Sequence, residues 1–167
     1  SLGGINLHPS LLPKYRGCTP VPAAILNRDE KTAVTVQGLA LKMDEGNILS
    51  QKVLELKGNE TSGSLLFQSA EIGAGLIAEL LKKTAASNSL PEGTPQEGEP
   101  SYTGIITKAD GKIDWTKSAL EIDAMLRAYT PEPGIWTIDG NESLKIIEAI
   151  PVEDDTESEK EQAGKVI

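Results

Sequence analysis

The sequence is poor in the residues that most often carry chemistry: among 167 residues there is one cysteine, Cys18, and one histidine, His8. A single thiol closes no internal disulfide, and one Cys with one His cannot furnish a zinc cluster, a pattern that fits a reducing compartment. As a nucleophile Cys18 would need a histidine beside it, so it is read as a small, half-buried filler. No apolar run reaches membrane-spanning length, which points to a soluble protein. Nor does a charged stretch with an apolar run and a small-residue cleavage site open the sequence, so secretion is not expected. Excess positive charge is lacking as well. The net charge is −9, with nine Lys and Arg against eight Asp and Glu in residues 1–84 and seven against seventeen in residues 85–167. Generic nucleic-acid binding needs clustered cations, so any RNA contact here has to be local. The length suffices for one good core or two small ones. The chain opens on Ser1 just before a strand and closes on 163–167 as if a strand were cut short, and the expectation is that sequence is missing at both ends.

What is there begins with GINLH at residues 4–8, alternating with the two-residue period of a strand. That period sets Asn6 and His8 on one face and Ile5 and Leu7 on the other. Pro9 stops further pairing, and Pro13 closes a stiff loop containing Ser10, Leu11 and Leu12. Residues 21–26 predict a short helix with Pro20 or Pro22 in its first turn. Strands are expected at 33–41 and 48–56, broken by the 42–46 turn with Gly46 as turn residue. A turn and N-cap at 58–62 lead into an amphipathic helix over 62–83, closed by Lys82 and Lys83.

Residues 85–100, rich in Pro, Gly and polar side chains, read as a linker between 1–84 and 101–167. Ser118 and Glu121 form a capping box for a helix over 116–129, ended by Pro131, Pro133 and Gly134. Strands at 135–139 and 143–150, joined across 139–141, predict the start of a small β-barrel. Residues 153–161 read as a solvated acidic loop. Trp115 and Trp136 read as core anchors of the second half and not as base-stacking platforms.

Asn6 offers an amide donor and His8 an imidazole, aimed the same way from a rigid strand. Such a pair can stabilise an oxyanion at an attacked carbonyl. Asp44, at the broken end of a neighbouring strand, is placed to orient the imidazole and take up a proton.

The order Asn6-Leu7-His8, Ser10-Leu11-Leu12-Pro13, Lys14-Tyr15-Arg16-Gly17, Asp44-Glu45-Gly46 and Thr61-Ser62-Gly63 resembles the folate-dependent formyltransferase family. The second half, with Lys112-Ile113-Asp114-Trp115, Arg127-Ala128-Tyr129 and 131–136, is similar to the members that formylate methionyl-tRNA. The resemblance implies an α/β fold: the C-terminal half of a Rossmann-like formyltransferase domain, followed by a helix and a partial OB-like β-barrel. It implies 10-formyltetrahydrofolate as formyl donor, the amino group of methionyl-tRNA as acceptor, no metal, and a cytoplasmic enzyme of translation initiation, monomeric when complete. Asn6, His8 and Asp44 are then catalytic, and Ser10, Leu11, Leu12 and Pro13 line the folate site. Lys14 and Arg16 are candidate substrate contacts. Formylation of an amino sugar nucleotide is the alternative activity, and a non-catalytic folded remnant the alternative class. The 167 residues alone are expected to bind folate weakly and turn over negligibly.

Overall fold

A computed structural model describes residues 3–152. The acidic loop expected at 153–161 and the terminal strand at 163–167 lie outside the described residues. Strand β1 (Ile5–His8) pairs antiparallel with β3 (Lys31–Gly38), which pairs antiparallel with β4 (Ile48–Glu55), giving a three-stranded sheet of order β1-β3-β4. The register sets Asn6 opposite Gln37 and His8 opposite Thr35. Directly opposed residues share a face, so one face of the sheet collects Asn6, His8, Thr35 and Gln37. The other face, with Leu7 and Val36, takes helix α2 (Ser62–Ser87). Gly73 of that helix lies so close to Leu7 that a Cβ there would collide with the leucine side chain.

Helix α1 (Pro20–Leu26) begins with the expected proline in its first turn. Helix α2 is capped by Thr61, whose side chain accepts from the Ser64 amide, and runs a turn beyond the expected 83. Thr84 is still buried there, and the left-handed Asn88 (φ 54°) ends the helix instead of Lys82 and Lys83. By length and composition α2 passes for a span, with 22% of its most apolar window buried. Leu65 and Leu80 pack inward while Leu66, Phe67 and Leu81 face outward.

In the second half, α3 (Ala119–Ala128) has the expected capping box between Ser118 and Glu121. It starts later than 116 because Asp114 Oδ1 accepts from both the amide (3.0 Å) and the hydroxyl (2.7 Å) of Thr116, holding a turn in place of a helical start. A short 3-10 turn, Lys108–Gly111, was not foreseen. Strands β6 (Ile135–Asp139) and β7 (Glu142–Ile146) form a hairpin, with β7 ending short of the expected 150. Strand β5 (Tyr102–Thr103) leaves that half to pair in parallel with β2 (Arg16–Gly17). The second half therefore shows a hairpin and no barrel among the described residues.

The segment read as a linker makes hydrogen bonds of its own. Thr94 exchanges both backbone hydrogen bonds with Ile48 (2.8 and 2.9 Å). The halves also share one core. Val21 and Ile25 of α1, Val34, Leu54 and Leu65 pack with Ile113, Leu126, Tyr129 and Ile135. Hydrogen bonds from Gly63 N to Thr130 O (3.1 Å) and from Arg127 Nη1 to Glu60 O (3.3 Å) fasten the seam. Trp115 and Trp136 tie loops together, donating to Thr137 Oγ1 and Lys108 O (2.9 Å each), but Trp115 stays 38% exposed. Trp115 is exposed and Trp136 half-buried, and each bonds within the second half, so neither is a core anchor.

Candidate active site

The strand period places Asn6 and His8 side by side, and a turn brings Asp44 to them. Asp44 adopts a left-handed conformation (φ 56°) that a non-glycine residue rarely holds without outside support. Its carboxylate is surrounded by hydrogen-bond donors. Oδ1 accepts from Asn6 Nδ2 at 3.2 Å and from Gln37 Nε2 at 2.8 Å; Oδ2 accepts from the Gly17 amide at 2.8 Å. His8 Nδ1 lies 3.6 Å from Oδ2. The three donors and the ring leave both carboxylate oxygens acting as acceptors.

His8 is 4% exposed. Its Nε2 sits 2.9 Å from the Tyr15 carbonyl; a carbonyl only accepts, so Nε2 carries hydrogen. A proton on Nδ1 would lie between the ring and Asp44. Tyr15, which supplies that carbonyl, has φ 59°. It is held by its amide on Ser101 Oγ (2.9 Å) and its hydroxyl on Asp29 Oδ2 (2.8 Å). Burial first, then the bond to Asp29 and that residue's negative charge, push the Tyr15 phenol well above the usual value of 10. Burial likewise raises Tyr129. A phenol raised on folding contributes stability below its unfolded value that is lost as pH rises through the folded one. Stability is therefore expected to fall above about pH 10. An absorbance titration of phenolate should show late-ionising tyrosines, one of which disappears in Tyr15→Phe.

Two open clefts of about 400 Å³ each meet at this cluster, and Asn6 and Asp44 line both. The first runs past His8, Gly17, Cys18, Val21 and Leu66. The second runs along residues 37–46 beneath the exposed apolar side chains Leu39, Leu41 and Met43.

The other expected contacts lie around this cluster. Ser10, Leu12 and Pro13 are buried and Leu11 half-buried. Ser10 Oγ donates to Lys14 O (2.6 Å) and Ser10 O accepts from Thr35 Oγ1 (2.7 Å). The 10–13 loop thus backs the site, and its neighbour Pro9 lines the first cleft. Arg16, expected at the substrate, is 9% exposed and turned inward, with Nη1 3.2 Å from Glu45 Oε1 and Nη2 2.7 Å from Gln96 Oε1. Lys14 is exposed. Cys18 is exposed at the cleft and not the half-buried filler expected. Sequence reasoning missed Gln37 and Gln96, which support Asp44. The signal for Gln37 was its alternation with Thr35 on a strand, useful only once the pairing with β1 is known.

The chain is also similar to known proteins. Residues 1–81 match the family described as formyl transferase, and residues 105–167 match the formyl transferase C-terminal domain. The methionyl-tRNA formyltransferase of Treponema denticola is 46% identical over 154 residues, covering 92% of this chain and 47% of that protein. The chain thus spans about half the length of the curated relatives it matches. The N-formyltransferase from Helicobacter canadensis, solved in complex with folinic acid and dTDP-3-aminofucose, superposes with a TM-score of 0.71 at 27% identity, over 86% of this chain and 52% of that one. Methionyl-tRNA formyltransferase from Clostridium thermocellum gives a TM-score of 0.71 at 24% identity, over 84% and 60% of the two chains, a likeness of fold.

Proposed function

The chain belongs to the formyl transferase family, and from that membership we propose that the whole protein moves a formyl group from 10-formyltetrahydrofolate to the amino group of methionyl-tRNA. The observation that carries the proposal is the junction itself: Asn6 at 3.2 Å and His8 at 3.6 Å from the Asp44 carboxylate, where two clefts meet. A two-substrate transfer needs two entrances to one set of groups. The cleft along 37–46 fits the folate, since its exposed Leu39, Leu41 and Met43 offer apolar cover to a flat ring. The cleft past Gly17 and Val21 is left for the aminoacyl end.

10-Formyltetrahydrofolate supplies a formyl carbon already bound to nitrogen and open to attack. Asn6 gives one amide hydrogen to Asp44 and keeps the second for the charge that grows on the formyl oxygen as the amine adds. His8, protonated at Nδ1, shares that charge; its 3.6 Å separation from Asp44 leaves room for the contact to tighten with substrate in place. Asp44 takes the proton the amine loses, directly or through water, and returns it to the departing folate nitrogen as the carbon–nitrogen bond breaks. The 10–13 loop serves the folate site from behind, and Lys14 is the candidate contact to tRNA phosphate. This reading places the protein in the cytoplasm, as a monomer formylating initiator tRNA for translation, with no metal required.

An amino sugar nucleotide is the second reading, favoured by the Helicobacter canadensis structure with its dTDP-amino sugar. The higher identity to proteins named methionyl-tRNA formyltransferase, 46 and 44%, supports the tRNA acceptor. The test gives the full-length protein labelled 10-formyltetrahydrofolate with charged initiator tRNA or with a dTDP-amino sugar. Label on the methionyl-tRNA is expected. Label on the sugar alone would replace this reading with the second.

A further inference from the structure

We propose that Gln96, in the segment that reads as a linker, is a positioning residue for Asp44; this rests on the catalytic reading of Asp44 given above. Asp44 stands in a left-handed conformation, and its neighbour Gly46 presses on the Gly38 backbone. Something must hold that turn in place. The Gln96 side chain does so from the far side of the loop. Its Nε2 donates to Asp44 O at 2.7 Å and to Gly46 O at 2.9 Å, with Gln37 Oε1 at 3.4 Å. Its Oε1 accepts from Arg16 Nε at 3.2 Å and Nη2 at 2.7 Å. The amide has one usable orientation: turned over, it would set its oxygen against two carbonyls and its hydrogens against a guanidinium.

The clamp holds the backbone on both sides of Glu45, which is itself paired with Arg16 through Nη1 at 3.2 Å. Fixing Asp44 O fixes the direction of the side chain, and the carboxylate then reaches Asn6, Gln37 and the Gly17 amide together. Arg16 and Gly17 belong to β2, which β5 holds from the other side. Gln96 is itself placed by the two Thr94–Ile48 hydrogen bonds. The chain between the two matched family regions is thus a strap that sets the catalytic acid, and a change there acts on turnover without touching either cleft.

The test compares full-length Gln96→Glu and Gln96→Ala with the parent. Gln96→Glu keeps the acceptor for Arg16 and turns the donor to Asp44 and Gly46 into a repelling oxygen. Its kcat is expected to fall roughly 10- to 100-fold, with KM for methionyl-tRNA changed less than about 3-fold, as for a misplaced catalytic group. In an Asp44→Ala background, Gln96→Ala should lower kcat no further, because a residue acting through Asp44 has nothing left to position. Parent-like kcat in Gln96→Glu, or a full additional loss in the double variant, overturns the proposal. A second readout does not depend on turnover. The ring proton signals of His8 are identified as those lost in full-length His8→Ala. They are expected to shift in Gln96→Glu, and unmoved signals also overturn the proposal. Should the parent fail to formylate any acceptor, the functional reading falls while the ring signals still decide the clamp.

Discussion

Replacing Asp44 with alanine in the complete enzyme is expected to lower kcat by roughly 10²–10³-fold, the scale for losing one preorganised polar group in a transfer site. The size of the effect follows from how many groups the carboxylate gathers. Asn6, Gln37 and the Gly17 amide all donate to it, and His8 faces it. Without the acid, the amine's proton has no acceptor, and Asn6 loses the partner that fixes its amide plane. Asp44→Asn should recover little. An amide presents one acceptor and one donor edge, and the donor edge would meet either the Gly17 amide or the Gln37 side chain. Asn6→Ala and His8→Ala belong to the same range. Steady-state kinetics on charged initiator tRNA would check all four, and a rate within 3-fold of the parent for any one removes that residue from the mechanism.

Gly46→Ala is expected to be the most destabilising single-methyl change in the described chain. A Cβ at Gly46 would overlap the Gly38 carbonyl, which is backbone of a central strand and has no soft end to swing aside. Either the turn carrying Asp44 lifts off the sheet or β3 distorts. A cost above about 3 kcal/mol follows, at the upper end for point changes, which is a fall in Tm of about 6–12 °C for a chain of this size. Gly58→Ala is the contrasting control. Gly58 is left-handed (φ 81°) where Gly46 is not, and it has open space around it, so only the conformational penalty of about 1–2 kcal/mol applies. Thermal melts of the two variants separate crowding from backbone strain. Equal shifts would show that the approach of Gly46 to Gly38 is not what constrains the turn.

The sequence was most legible where local rules decide. Alternation in residues 4–8 put Asn6 and His8 on one face, and the Ser118–Glu121 capping box marked a helix start, because both depend on neighbours a few residues away. Legibility failed where a partner came from far along the chain. Gln37 enters the site through its register opposite Asn6. Arg16 looks like a solvated loop cation until Gln96, Glu45 and Tyr102 are seen around it. In the 85–100 segment, prolines and glycines signal a linker but not the contacts it makes. There Thr94 bridges Ile48 and Gln96 reaches the Asp44 turn. Composition reports how a segment behaves alone, and here pairing to a distant strand decides. Cys18 is a smaller case: a small thiol next to prolines reads as filler, yet it opens onto the cleft.

The common core of the two halves bears on how such proteins can be recombined. Ile113, Leu126, Tyr129 and Ile135 fill space between α1, β3 and α2, so severing the chain near residue 100 would expose a greasy scar on each piece. A chimera that replaces the end of this chain with a foreign tail should succeed only if the crossover lies beyond Ile135, so that the native plug travels with its socket. Melting of such grafts would be cooperative with the late junction and broad with the early one.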